Sequence, residues 1–303
     1  MKRTLALLLC GSMALLQSCG GEDNPKSTNS VAKSNQLDTS KLKEQIGEEM
    51  YERTRSMFYS MPSPIELQSM IESAGGYFRD DLVHDPQLAS QYQTTGSQAM
   101  ALGVYGTNLS YSAVFEQQQE ALLFMAAAQR VAKKMGINDP FSGAIIERAN
   151  TNISNKDSML LIVSEIYWEM NSQLQEENRN QLGLLVLASG WIEGIYLGSQ
   201  ILDIENPEKN MADVLVEQRI VATQLNEMFT DYRSDALIAS SEVIFRPLID
   251  LYMTLKTNDE PSTLTEKNGK TIIAGKKKVE YTTTDLKNIR ETAASARAKL
   301  IGQ

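Results

Sequence analysis

Between Gln181 and Leu202 the chain reads QLGLLVLASGWIEGIYLGSQIL, almost wholly apolar, with glycine at 190, 194 and 198. A helix that is apolar on nearly every side belongs in the middle of a packed domain. The uncharged run from Leu182 to Ile192 is shorter than the ~20 residues a bilayer span needs, and Glu193 follows it. Each glycine costs ~1 kcal/mol of helix propensity relative to alanine, so close approach of a neighbour must offset the stripe. The favoured reading is a tight helix–helix crossing. The other is a ligand groove bordered by Trp191 and Tyr196. Glu193 is the one charge in this helix; if buried, it must be paired or protonated. That makes it either a structural ion pair or tyrosine hydrogen bond, or a site carboxylate with a raised pKa.

The rest of the chain follows a helical period, and the fold class expected is all-α. We expect a single multi-helix, bundle-like domain over residues 41–303. Leu42, Ile46, Met50 and Met57 mark one face of a first helix, closed by Met61-Pro62. Ser63, Pro64 and Glu66 form a capping box with proline at the first helical position. That helix ends near Gly75-Gly76, and residues 75–90 read as irregular. Residues 94–135 hold two helices or one broken one, with Gly103 and Gly106 as the expected break or close contact. Tyr111 to Met135 reads as continuous helix stopped by Gly136, with Pro140 beyond. Further helices are expected at 140–153, 156–175, 178–203, 208–230 and 234–256. Asn268-Gly269 sits in a polar, β-branched stretch near residues 262–282, which reads as a small β-hairpin or a loop. Asp285 is expected to cap a last helix running to Leu300. No internal repeat extends far enough for a solenoid.

Residues 1–19 read MKRTLALLLCGSMALLQSC, a short basic start and an apolar core too brief to span a bilayer. Leu16-Gln17-Ser18-Cys19 resembles the lipobox of bacterial lipoproteins. The resemblance implies a signal peptide over 1–18, lipidation at Cys19, and a flexible, Ser- and Asn-rich tether over 19–40. Several acyl chains on one cysteine hold a protein firmly to a membrane. Glu22 and Asp23, just behind that cysteine, resemble the surface-export signal of Bacteroidota lipoproteins. The expected location is therefore the outer membrane, on the cell surface rather than the periplasmic face. Cys10 lies in the leader, so a mature chain has no thiol for a disulfide, nucleophile or metal.

The full chain carries a net charge of −9, and losing Lys2 and Arg3 with the leader leaves −11. An acidic chain repels phosphate backbones, so nucleic acid is not an expected partner. It repels anionic lipid too, leaving the lipid anchor as the route to the membrane. His84 is the single histidine, which removes two-histidine zinc motifs and paired Glu-x-x-His di-iron sites. There is no Gly-x-Ser-x-Gly elbow, phosphate loop or dinucleotide fingerprint, and no cofactor is expected. One cluster remains, Asp80, Asp81, His84 and Asp85, whose spacing matches no calcium loop but whose ligand types could hold a hard cation. Its ordinary reading is an acidic solvated turn. Glu165 with Glu169, and Glu116 with Glu120, read as solvated helix faces.

The stretch Leu102-Gly103-Val104-Tyr105-Gly106-Thr107-Asn108-Leu109-Ser110-Tyr111, followed by Phe115-Glu116-Gln117, is similar to a group of uncharacterised helical lipoproteins of Bacteroidota. Ser189-Gly190-Trp191-Ile192-Glu193-Gly194 resembles a second segment of that group. The resemblance implies an envelope location and an all-α fold, and supplies no catalytic residues. The expected function is non-enzymatic binding of a protein partner or small ligand, with Tyr105, Tyr111, Trp191, Glu193 and Tyr196 as candidate binding residues. The alternatives are a carboxylate- or metal-dependent enzyme and a structural scaffold.

Overall fold

A computed structural model of the chain describes Ser56, Met61 and residues 63–259, 263–267, 270–274 and 277–302. The expected leader, the lipidated Cys19, the tether and all of the first helix but Ser56 and Met61 lie outside the described residues. The fold is all-α. In chain order the helices are α1 (Pro64–Ser73), α2 (Thr95–Val114), α3 (Gln118–Lys134), α4 (Gly143–Thr151), α5 (Lys156–Glu176), α6 (Asn180–Ile201), α7 (Lys209–Glu217), α8 (Arg219–Asp231), α9 (Ala236–Thr254) and α10 (Thr283–Leu300). Short 3₁₀ turns at Pro86–Ser90 and Asp139–Phe141 precede α2 and α4.

Helix α6 is the axis of the bundle. It packs most extensively on α2, then on α10, and also touches α1, α5, α7, α8 and α9. By length and composition it could cross a membrane, but 94% of its most apolar window is buried inside the domain. Its glycine stripe is the tight crossing. A Cβ on Gly190 would meet the Thr107 hydroxyl of α2, one on Gly194 would meet Leu67 of α1, and one on Gly198 would meet Ile71 of α1 and Leu215 of α7. The outer helices are amphipathic in the ordinary way. Along α10, Leu286, Ile289, Ala293, Ala296 and Leu300 face inward.

Local chemistry sets several ends. Ser63 accepts from the Glu66 N–H while the Glu66 carboxylate accepts from the Ser63 N–H, the capping box read from sequence. Gly136 stops α3 with φ +76°, a left-handed conformation that costs glycine little. Three expectations are corrected. Of the break or close contact expected at Gly103 and Gly106, Gly103 makes the close contact, against Val186 and Gly190 of α6, and neither glycine breaks α2. The break falls at Phe115–Gln117, where Glu116 adopts φ 58° and splits the helix expected over Tyr111–Met135. The helix expected over 208–230 divides at Gln218, which carries no glycine or proline signal. Thr282, not Asp285, is the N-cap of α10; Asp285 is its capping-box partner three residues on.

Two antiparallel strand pairs interrupt the helices. β1 (Thr257–Asp259) pairs with β4 (Lys277–Val279), and β2 (Thr263–Lys267) pairs with β3 (Lys270–Ala274). The Lys267↔Lys270 register leaves two residues between the inner strands. Asn268 and Gly269, which signalled the hairpin, lie outside the described residues.

Candidate functional site

The polar interior centres on Glu193, fully buried on α6. Asn108, four residues beyond Val104 on α2, donates from Nδ2 to the Val104 carbonyl at 2.7 Å and to Glu193 Oε1 at 2.8 Å. Arg297 of α10 donates from Nε to Glu193 Oε2 at 3.2 Å and from Nη2 to the Leu82 carbonyl at 3.1 Å. Its guanidinium lies 4.7 Å from the centre of the Tyr196 ring, within cation–π range. Burial raises the pKa of Glu193, while the Arg297 charge and the Asn108 amide pull it back.

The connector before α2 joins this network. The His84 backbone N–H donates to Asn108 Oδ1 at 3.3 Å, and its Nε2 lies 2.7 Å from the Tyr92 hydroxyl. The imidazole stacks on Tyr105 at 5.2 Å, and the Tyr105 hydroxyl donates to the Asp85 carbonyl at 2.9 Å. Burial, then the Arg297 charge, lowers the His84 pKa to about 4, so the ring is neutral near pH 7. Both Glu193 oxygens are occupied by protein donors. The arrangement ties the connector and α10 to the two central helices.

The five residues proposed for binding from sequence therefore separate. Glu193 and Tyr196 meet through Arg297, and Tyr105 reaches them through His84. Tyr111 lies elsewhere: its hydroxyl donates to the Tyr77 carbonyl at 2.8 Å and accepts from the Arg79 N–H at 2.9 Å, with Phe78 and Phe115 on its ring. Trp191 faces away, 5.3 Å from Tyr252, and lines a cavity of only about 20 Å³. A ligand groove bordered by Trp191 and Tyr196 is not what the fold builds.

The metal reading is corrected as well. Asp81 is exposed and pairs with Arg79. The Asp85 carboxylate accepts from the Gln87 N–H at 2.8 Å as the cap of a 3₁₀ turn. Asp80 is exposed, and His84 is turned inward. Among the described residues no three His, Cys, Asp or Glu side chains converge as a metal site would need. Successive residues of an irregular loop point in different directions, so proximity in sequence gave no convergence.

Sequence reasoning missed Asn108, Tyr92 and Arg297. Asn108 had a signal, a carboxamide inside an apolar helix, which must find partners when buried. Arg297 had none, since an arginine on an amphipathic last helix reads as solvated.

A second site is open to solvent. The outward face of α1, Trp168 of α5 and the face of α7 enclose a groove of about 850 Å³. Met61, Ile65, Met70, Ala74, Trp168 and Val214 give it an apolar floor. Glu66, Asp213 and Glu217 are the charged residues of its described lining, and all are carboxylates. Asp213 also accepts from Lys209 and, at 3.2 Å, from the Tyr281 hydroxyl.

No protein-family model, curated protein or solved structure matches the chain.

Proposed function

We propose that the chain is an envelope lipoprotein, lipidated at Cys19 and held at the outer membrane, that binds a protein partner through the groove between α1, α5 and α7 without catalysing a reaction. The groove carries this reading: it is wide, apolar at its base, and among its described residues the charged lining is acidic. An apolar segment flanked by basic residues complements such a surface in both respects. Surface display rather than a periplasmic facing follows from Glu22 and Asp23 behind the lipidated cysteine.

Two experiments test the two halves. Photo-crosslinking residues placed at Ser69 and Asn210 in intact cells should trap one defined protein, while the same probe at exposed Leu123 on α3 should not. Equal labelling at all three positions would end the binding reading. Separately, Cys19→Ser should release the chain from membranes, and protease added to whole cells should digest the wild-type protein. Retention of the Cys19→Ser variant would remove the lipoprotein assignment.

A further inference from the structure

The crossing of α1 and α6 holds a second buried polar group, unrelated to Glu193. Gln68 on α1 is fully buried, and neither its Nε2 nor its Oε1 has a hydrogen-bond partner within the protein. Trp191 on α6 is 5% exposed, and its Nε1–H is likewise without a partner. Both side chains line the same cavity of about 20 Å³, together with Thr107 of α2. The Thr107 hydroxyl donates to the Gly190 carbonyl at 3.1 Å, so its lone pairs remain free to accept.

Buried amides and indole N–H groups are almost always hydrogen-bonded, and ordered water serves where protein groups do not. A water needs about 10–15 Å³ of such space and two to four polar partners. This cavity has room for one and not for a metabolite.

We propose that the cavity is the seat of a single structural water, which accepts from Trp191 Nε1–H and donates to Gln68 Oε1 and Thr107 Oγ1. All four of its hydrogen-bonding sites need not be filled, since three is typical of buried waters. Glycine at 190 belongs to the same arrangement, because a Cβ there would lie 2.9 Å from the Thr107 hydroxyl and crowd the seat. The water thereby links α1, α2 and α6 at one point. It sits behind the α1 face that forms the surface groove, yet it rests on none of the assumptions made about that groove.

Water-to-indole cross-relaxation in NMR of the purified protein tests this directly. A Trp168→Phe variant identifies the Trp191 resonance. A persistent water cross-peak at the Trp191 indole proton is expected, and it should be lost in Gln68→Leu. Absence of the wild-type cross-peak, or its survival in Gln68→Leu, overturns the proposal. If Gln68→Leu does not fold, the wild-type cross-peak alone decides.

Discussion

Gly103 of α2 and Val186 of α6 are in backbone contact: a methyl group on Gly103 would lie 2.2 Å from the Val186 carbonyl oxygen. A carbonyl on a central helix cannot step aside, so Gly103→Ala must force the two helices apart. Overpacking of this kind costs about 2–3 kcal/mol or more. One turn along, a Cβ on Gly106 meets nothing within 4 Å. Gly106→Ala should stabilise by about 0.5–1 kcal/mol through helix propensity. Urea unfolding of the two variants should give shifts of opposite sign.

Glu193 and Arg297 should behave as a coupled pair. Removing either partner strands the other in the interior, and Glu193→Ala or Arg297→Ala should each cost about 3 kcal/mol. The double variant should cost less than the two losses added, by about 1–3 kcal/mol. Additive losses in a double-mutant cycle would mean the two groups do not depend on each other.

His84 makes the fold acid-sensitive. Its folded pKa of about 4 lies below the ordinary value of 6.5, so the unfolded chain binds a proton first. Stability from this group is complete above about pH 6.5 and is lost as pH falls toward 4. At about 1.4 kcal/mol per pH unit, discounted for residual hydration of the ring, the loss is about 2 kcal/mol. Glu193, with its raised pKa, contributes in the opposite sense, favouring the fold at low pH. Comparing wild type with His84→Asn cancels that contribution. The variant's stability should vary less steeply with pH over the same window, as read by denaturant titration at a series of pH values.

Two of the three capping boxes among the described residues, at Ser63 and Thr282, offer a simpler test. Ser63→Ala and Thr282→Ala each remove a side-chain acceptor for a backbone N–H at the start of a helix. Each should lower stability by about 1 kcal/mol, read as a drop in the urea midpoint. Ser63→Gly should cost only a few tenths, as glycine ranks far above alanine at the N-cap position.

Local signals carried most of the fold into view. Ser63-Pro64-x-Glu66, Gly136 and the period of α6 each state a constraint within one helical turn, and each is where the sequence puts it. Glu116 shows where such reading stops. A glutamate at φ 58° is held there by the packing of α2 and α3, and no property of the residue announces it. Gly103 read as a bend or a close contact, and the approach of α6 makes it the second. At the site, Glu193 declared itself as a lone charge in an apolar helix. Its cation did not, because Arg297 lies 104 residues further on and joins it only through tertiary packing.

That separation bears on how the chain can be made. Arg290 clasps the Ser199 carbonyl at 2.8 Å and also reaches that of Leu202, and Arg297 neutralises Glu193, so the middle helix is completed from two points on α10. A polypeptide emerging in order from a ribosome has its central carboxylate in hand well before the countercharge at residue 297 appears. Until then a carboxylate enclosed by α2 and α6 would have to take up a proton, since burial without a countercharge disfavours its ionised form. Contacts so distant in sequence form slowly. The helix around which the domain packs thus owes its buried charge balance to a side chain 104 residues downstream.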